Sequence, residues 1–320
     1  MEDLALGPED RVLVLGGTGF VGRRLLPRLL EKGARLRLLA RSPEKARAVA
    51  PAGVEVIKGD LSSGEGLGEA LEGIHTAYYL VHSLGGKSLF RNLEFAREEM
   101  LHAQNFVEEA GAAGLRRVIY LGALGEAGPE LSEHLRIKAE VGEALSAGPA
   151  SCTTLRAAII IGAGGASFEM LRYLVERLPV MVCPRWIETR IQPIAIGDVI
   201  EYLAGCLYDP RTAGRAFDIC GPEVFTYREM MERYAEARGL ARRLIFRVPF
   251  LTPLLSAYWV DLVTPVPSGT AHPLIEGLKN DVVCRENSIE AFIRIEKTPF
   301  REAVLEAVSE ERDGPGVRGF

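Results

Sequence analysis

Three glycines near the amino terminus have the spacing of a phosphate-binding turn. Gly16, Gly19 and Gly22 follow the pattern G-x-x-G-x-x-G, directly after the apolar residues 12–15. Glycine is needed where a chain turns sharply from strand to helix and its backbone approaches a pyrophosphate. The amide groups at the start of the following helix then hold the phosphates. The predicted nucleotide-binding residues of this turn are Gly16, Thr18, Gly19, Phe20, Val21 and Gly22.

Residues after the second and third predicted strands bear on the choice of nucleotide. An acidic residue after the second strand binds the ribose 2′-hydroxyl of NAD, whereas an arginine accommodates the 2′-phosphate of NADP. Arg41 lies in this region, and residues 40–42 contain no acid. NADP(H) is therefore favoured; in the alternative, NAD(H) binds and Arg41 is a solvated loop charge. Asp60, followed by Leu61, can accept a hydrogen bond from adenine or cap the next helix.

Two further groups of polar residues are candidates for the reaction itself. His82 and Ser83 follow the fourth predicted strand, at the strand end where ligands bind in parallel sheets. His134 and Lys138 are spaced i, i+4 and share one face of a predicted helix. Imidazole titrates near neutral pH and can transfer protons. Each histidine could equally be a packed or surface side chain, and Lys138 a solvated cation.

The elements that position these residues alternate between strand and helix. Predicted strands cover residues 12–15, 35–40, 54–57, 77–81, 117–121 and 153–161, with helices between them. Such alternation is typical of an α/β fold with a doubly wound parallel sheet of Rossmann type. We expect the dinucleotide-binding domain to comprise residues 1–161 and about 190–208. The discontinuous segments 162–189 and 209–320 are expected to form a smaller C-terminal cap.

Two local features refine this outline. Arg156 lies inside the apolar run 153–161, where a charge is either paired or part of a site. Thr226 and Glu229 have the spacing of a capping box, which predicts that a helix begins after Thr226.

Composition excludes several classes of protein. The chain has 320 residues, is 48% hydrophobic and has a formal net charge of −5. This charge, without a basic stripe, argues against a nucleic-acid partner. The five cysteines are scattered and form no C-x-x-C pair, so we expect buried thiols in a reducing cytoplasm, with no metal site and no disulfide. The acidic amino terminus lacks the apolar region of a secretion signal, which predicts a cytoplasmic location.

The apolar stretch 248–267 requires a separate interpretation. It contains four prolines and Asp261, which interrupt the continuous apolar helix that spans a membrane. We expect a lid or core helix, with contact to a membrane surface or a protein partner as the alternative. The bulky apolar residues of the cap predict a small hydrophobic ligand, and the oligomeric state stays open. Candidate pocket walls are Phe168, Met170, Leu171, Trp186, Phe250, Leu254, Tyr258 and Trp259.

Together these motifs resemble the extended and atypical short-chain dehydrogenase/reductases. The similarity is strongest to the NAD(P)-binding, NmrA-like and nucleoside-diphosphate-sugar-epimerase-like branch. GGTGFVG at residues 16–22 resembles the family's TGxxGxxG turn, and Asp60-Leu61 its adenine-contacting pair. Segments 100–120, 155–164, 190–199 and 217–230 resemble later family elements, so the resemblance covers nearly the whole chain. It implies a Rossmann fold that binds NAD(P)(H).

The catalytic residues depart from the family pattern. In that family a Tyr-x-x-x-Lys pair transfers the proton, its lysine binds the nicotinamide ribose, and a serine at the preceding strand end orients the carbonyl. Here His134 replaces the tyrosine, Lys138 is kept, and Gly-Ala at residues 122–123 replaces the serine. The resemblance implies that Lys138 is a ribose ligand. It also places His82 and Ser83 near the nicotinamide, so that His82 and His134 are both candidate proton donors.

The missing tyrosine and serine leave two functions open. One is an NADP(H)-dependent oxidoreductase or isomerase that acts on a small hydrophobic, carbonyl or quinone-like molecule. The other is a non-catalytic dinucleotide-binding protein, for which the family offers NmrA-like redox sensors and the Rossmann-type accessory subunit of respiratory complex I.

Overall fold

The computed structural model describes residues 4–82, 92–125, 131–247, 263–266 and 268–313. The strands are β1 (Arg11–Leu15), β2 (Arg35–Ala40), β3 (Glu55–Lys58), β4 (Ile74–Tyr79), β5 (Arg117–Ala123), β6 (Ser151–Ala157), β7 (Ile160–Ile161), β8 (Val180–Cys183), β9 (Arg190–Ile191), β10 (Ile194–Ala195), β11 (Ala216–Ile219), β12 (Phe225–Thr226) and β13 (Leu244–Arg247). The helices are α1 (Gly22–Glu31), α2 (Pro43–Val49), α3 (Leu67–Leu71), α4 (Asn92–Ala112), α5 (Glu133–Ala147), α6 (Ala166–Arg177), α7 (Ile196–Tyr208), α8 (Tyr227–Ala237), α9 (Ser268–Gly277) and α10 (Phe300–Asp313).

The central sheet is parallel, with the strand order β11-β6-β5-β4-β1-β2-β3. From β1 the chain adds β2 and β3 on one side and then crosses back, so that β4 pairs with β1 on the other side. The strand order therefore reverses between β1 and β4, the point at which open α/β sheets bind ligands. This topology confirms the predicted doubly wound α/β fold and makes the residues after β1 neighbours of those after β4.

Helices cover both faces of the sheet because its strands are apolar on both. In β1, Val12 and Val14 join one buried cluster, which also contains residues of α1 and α7. Leu13 and Leu15 point the other way and join a second cluster with α3, α4 and α5. Successive strand residues face opposite sides, so a run of apolar residues marks a strand that is buried on both faces.

The structure differs from the prediction in two places: the strand predicted over residues 153–161, and one strand of the predicted cap. The predicted strand 153–161 is divided: β6 ends at Ala157, and β7 pairs with β10 outside the main sheet. The strand β11, within the segment assigned to the cap, is the edge strand of the main sheet and pairs with β6. The physical reason is Arg156, whose guanidinium meets the buried carboxylate of Asp218 on β11 at 2.6 Å.

A third buried cluster holds the cap together and includes residues of α6, α8, α9 and α10. Phe168, Met170 and Leu171 on α6 are all at least 99% buried in this cluster, so they are packing residues and not pocket walls. The other candidate walls lie outside the described side chains, as does most of the stretch 248–267. Among the described residues, no helix combines the length and hydrophobicity that crossing a bilayer requires.

The expectation that all cysteines are free thiols is wrong for one pair. Cys220 and Cys284 form a disulfide, with their Cα atoms 6.2 Å apart and their positions 64 apart in sequence number. Cys152, Cys183 and Cys206 are free. Scattered cysteines without a local motif gave no sign of this pairing, because the fold alone brings the end of β11 beside Cys284.

Candidate functional site

The glycine turn between β1 and α1 packs backbone against backbone. Gly16 has φ = 81°, and a Cβ atom there would lie 2.6 Å from the carbonyl oxygen of Leu80. A Cβ atom on Gly22 would overlap the carbonyl oxygen of Gly16, and the Gly19 amide donates to that same oxygen at 3.0 Å. Only glycine fits these positions, and the tight turn directs the start of α1 toward a ligand at the strand ends.

The other residues of this turn divide between surface and core. Thr18 and Gly19 are exposed, whereas Val21 is buried and packs in the cluster beneath α1. Phe20 is half-buried, and its ring packs against Gly165, where an added Cβ atom would lie 2.9 Å from the ring. The Phe20 ring therefore fixes the turn to the loop after β7, and Thr18 and Gly19 are the positions open to a phosphate.

The residues predicted to choose the nucleotide lie together beyond β2 and β3. Arg41 is exposed at the end of β2. Asp60 accepts a hydrogen bond from the Ser62 amide at 2.8 Å; this bond lowers the pKa of Asp60, and nearby Arg41 acts in the same direction. Leu61 is buried under the sheet. The site thus offers an ionised carboxylate and an exposed guanidinium on the side of the sheet where β2 and β3 end.

A polar chain that is buried at Glu99 and Lys138 and reaches the surface at His82 lies on the other side of the glycine turn. The ammonium of Lys138 on α5 lies 2.8 Å from Glu99 Oε2 on α4 and 2.7 Å from Nδ1 of His82, just after β4. Lys138 and Glu99 are 4% and 2% exposed. An ammonium only donates, so His82 Nδ1 accepts, and a neutral ring carries its proton on Nε2. We refer to these residues as the Glu99–Lys138–His82 chain.

Burial and the charge of Lys138 keep both candidate histidines neutral. Desolvation by the surrounding protein lowers the pKa of His82 to about 3, with Lys138 contributing, although His82 keeps an exposed surface. The same two causes lower the pKa of His134 to about 4. Burial also lowers the pKa of Lys138, and Glu99 opposes that shift. The hydrogen bond from the ammonium to Nδ1 is consistent with a neutral His82.

Glu99 is a site residue that the sequence analysis missed. Ala103, Phe106 and Ala110 form the buried stripe of α4. Glu99 lies four residues before Ala103 and seven before Phe106, so it is on the same helical face. An acidic residue in register with a buried helical face was the signal that could have identified it. Its neighbour Glu98 lies off that stripe and is exposed.

Gly122, one of the two residues at the position of the family's serine, has no room for a side chain. A Cβ atom on Gly122 would lie 2.9 Å from the ring of Tyr120. The Tyr120 hydroxyl donates to the main-chain carbonyl of Lys138 at 3.0 Å, which fixes α5 above β5. Tyr120 thus occupies the space that a side chain at residue 122 needs. The candidate Ser83 lies outside the described residues.

Two cavities of the described part of the chain lie elsewhere. One, of about 330 Å³, is lined by residues of α1, α7 and α10. The other, of about 290 Å³, is lined by the disulfide, Asp218 and the residues around Glu286. Neither is lined by His82 or Lys138, so the polar chain is not part of these cavities.

Comparison with known proteins agrees with this geometry. Residues 16–157 match a family described as NAD(P)H-binding. A ceramide reductase from Caulobacter vibrioides is 30% identical over 240 residues, which cover 74% of this chain and 73% of that protein. The mitochondrial NADH dehydrogenase [ubiquinone] 1 alpha subcomplex subunit 9 of Arabidopsis thaliana is 24% identical over 290 residues, 87% of this chain and 71% of that protein.

Among solved structures, the triphenylmethane reductase of Citrobacter sp. complexed with NADP(H) has the same fold. Its TM-score is 0.72 at 20% identity, over 92% of this chain and 99% of that chain. A nucleoside-diphosphate-sugar epimerase from Staphylococcus aureus also has a TM-score of 0.72, at 16% identity over 92% of this chain and 99% of that chain. With the glycine turn and the sheet topology, these similarities show that the chain belongs to the NAD(P)-binding, NmrA-like and nucleoside-diphosphate-sugar-epimerase-like branch of the atypical short-chain dehydrogenase/reductases.

Proposed function

We propose that this protein is an NAD(P)H-dependent reductase of a small hydrophobic carbonyl or quinone-like compound, with NADPH as the preferred cofactor. The observation that carries the proposal is the Glu99–Lys138–His82 chain, a hydrogen-bonded path beside the end of β4. A hydrophobic substrate is supported by the similarity to a protein named ceramide reductase.

The glycine turn fits a dinucleotide, because its close backbone packing leaves no room for a Cβ atom at residues 16 and 22. Amides at the start of α1 would hold the pyrophosphate, Arg41 the 2′-phosphate and Asp60 the adenine. Lys138 has three N–H donors, and the one not directed to Glu99 or His82 would hold the nicotinamide ribose. When bound, the reduced nicotinamide supplies a hydride.

Reduction of a carbonyl also requires a proton at its oxygen, and in this proposal His82 donates it. The Nε2–H of the neutral ring gives its proton to the developing alkoxide, while Nδ1 takes a proton from the Lys138 ammonium. The imidazole stays neutral, with its proton now on Nδ1. Nε2 then takes a proton from solvent while Nδ1 returns one to Lys138, which renews both the ammonium and the Nε2–H form of the ring. Glu99 favours the charged form of Lys138 and so restores the starting state. This relay would replace the missing tyrosine.

The test begins with titration of NADPH and NADH by fluorescence or calorimetry, followed by NADPH oxidation with hydrophobic aldehydes, ketones and quinones. We expect His82→Ala to lower kcat by about a hundredfold or more while changing the Kd of NADPH by less than about threefold. The matched control is His134→Ala, which removes the other neutral imidazole near Lys138. A loss confined to His134→Ala would contradict the relay.

The preference for NADPH is tested separately with Arg41→Asp. We expect the Kd of NADPH to rise by about tenfold or more, because a charge-assisted contact to the 2′-phosphate is lost. The Kd of NADH should change by less than about threefold. Equal effects on both nucleotides would remove the argument for NADPH.

A second candidate function is that of a non-catalytic nucleotide-binding subunit or sensor. It is favoured by the similarity to the complex I subunit, which extends over 87% of this chain, and by the absent tyrosine. This function predicts tight binding of a nucleotide, a raised Tm and no turnover of any compound in the panel.

A further inference from the structure

Arg24, in the first turn of α1, joins the glycine turn to two other parts of the molecule. Its guanidinium donates to the main-chain carbonyl of Phe20 at 2.9 Å and to that of Ala163 at 2.7 Å. It also donates to Glu310 Oε1 at 2.6 Å. The guanidinium lies 4.8 Å from the centroid of the Phe20 ring, and the Arg24 side chain is only 15% exposed. We call these contacts the Arg24 bridge.

The three acceptors of the Arg24 bridge belong to different elements. Phe20 is part of the glycine turn, two residues before α1 begins. Ala163 is fully buried in the loop after β7, and this loop leads directly into α6 of the cap. Glu310 lies near the end of α10, which also belongs to the cap. The bridge therefore connects the nucleotide-binding turn to the cap at two points.

An arginine is suited to this position because its donors are spread over a planar group. Nη1 of Arg24 donates to the Phe20 carbonyl, and Nη2 donates to Ala163 and Glu310. A lysine ammonium would keep the charge, but all its donors are on one nitrogen atom. The shape of the guanidinium and not its charge alone is what the three acceptors require.

We propose that Arg24 is a positioning residue for nucleotide binding, through which the cap holds the glycine turn in the conformation that a pyrophosphate requires. The turn would bind phosphates through its backbone amides, so a shift of the Phe20 carbonyl also shifts the neighbouring amides. Both terminal nitrogens of Arg24 are engaged with protein acceptors, which favours positioning over direct contact with a phosphate. The inference rests on the nucleotide binding of the proposed function and requires no turnover.

The experiment is calorimetric titration of NADPH and NADH, well below the Tm of each variant, where a loss of stability alone leaves the Kd unchanged. We expect Arg24→Gln to raise the Kd of NADPH by about tenfold, because the turn loses its bridge to the cap. The Kd of NADH should rise by the same factor, since the pyrophosphate is common to both nucleotides. This parallel change differs from the selective effect expected of Arg41→Asp.

Two milder variants separate the shape of the guanidinium from its charge and test the contact with α10. Arg24→Lys keeps the charge but should still raise the Kd of NADPH by about fivefold. Glu310→Gln should raise it by about threefold, because the Glu310 side chain is 45% exposed and such ion pairs contribute little. These two variants decide the inference if Arg24→Gln does not fold.

Matched controls come from the same two helices. Arg28 lies one helical turn after Arg24 and pairs with Glu201 on α7 at 2.7 Å. Arg28→Gln therefore removes the same charge and an ion pair away from the turn. Glu306 is exposed on α10, one turn before Glu310, and is the control for it. Arg28→Gln and Glu306→Gln should each change the Kd of NADPH by less than about twofold, and circular dichroism checks that all variants are folded.

Several results would overturn the inference. Full affinity in Arg24→Lys would show that only the charge matters, and equal weakening by Arg24→Gln and Arg28→Gln would show that the bridge has no special role. Absence of NADPH binding by the unchanged protein would overturn both this inference and the proposed reductase. Weaker binding in the Arg24 variants, together with no turnover of any carbonyl or quinone, would overturn the reductase alone and support this inference.

Discussion

Lys138 and Glu99 form an ion pair whose charges the protein removes almost completely from water. Desolvation of two charges is costly, and their attraction compensates for it only while both are present. The carboxylate therefore has two effects on Lys138: it favours the charged form against burial, and it orients the ammonium toward His82.

We expect Glu99→Gln to lower the free energy of unfolding by about 3 kcal/mol, because it leaves the buried Lys138 without a counter-charge. The control is the adjacent Glu98→Gln on the exposed side of α4, which should cost less than about 0.5 kcal/mol. Urea unfolding at neutral pH measures both. Equal effects would show that the buried pair has no special role in stability.

His134 makes the stability depend on pH. Its pKa is about 4 in the native protein, mainly because of burial, and near 6.5 when unfolded. Between these values the unfolded chain binds a proton that the native protein does not. The free energy of unfolding is therefore highest above pH 6.5 and falls as the pH drops toward 4.

We expect His134→Gln to reduce this loss. Between pH 7 and pH 5, the free energy of unfolding should fall by about 1 to 2 kcal/mol less in the variant than in the unchanged protein. Urea unfolding at the two pH values provides the measurement. The same loss in both proteins would mean that His134 is already protonated at pH 5.

At the scale of elements, the path from β1 into α1 has no room for added atoms. Gly16 lies against the end of β4 and Gly22 against Gly16, so the turn has no space to relax outward. The ring of Phe20, which belongs to the turn, also packs against the loop after β7. Nucleotide affinity should therefore respond to a single methyl group here.

We expect Gly22→Ala to weaken NADPH binding by about tenfold or more, since a Cβ atom forces the turn away from its close approach. Gly197→Ala is the control, because Gly197 lies in helix α7 with open space around its Cβ position. It should leave the Kd unchanged and the Tm equal or higher. Calorimetry and thermal melting distinguish the two. An unchanged Kd in Gly22→Ala would place the phosphates elsewhere.

At the scale of the whole molecule, the Cys220–Cys284 disulfide links the edge of the main sheet to a distant segment. The bridge joins cysteines 64 residues apart in sequence number. The loop that it closes is long, and closing a long loop restricts the unfolded chain more than closing a short one.

Removing this bridge should destabilise the protein substantially. We expect the double variant Cys220→Ser, Cys284→Ser to lose about 4 kcal/mol of unfolding free energy by the loop-entropy relation. A thiol reductant should lower the Tm of the unchanged protein to that of the variant and should not affect the variant. An unchanged protein whose Tm does not respond to reductant would show that the bridge contributes little.

The sequence alone determined the features that depend on residues close together in the chain. The glycine turn, the alternation of strands and helices, and the capping box of Thr226 and Glu229 were all predicted from local patterns, and the structure contains them. Turn sterics, side-chain periodicity and helix capping act within a few residues, so a short segment contains the necessary information.

Only the tertiary structure decided which distant residues meet. Glu99 and His82 lie 39 and 56 positions from Lys138, and the disulfide joins cysteines 64 positions apart. Arg156 was visible as a buried charge, but its partner Asp218 lay in a segment assigned to the cap. Each charge or thiol had many chemically equivalent partners in the sequence, and packing of the sheet and helices selected one of them.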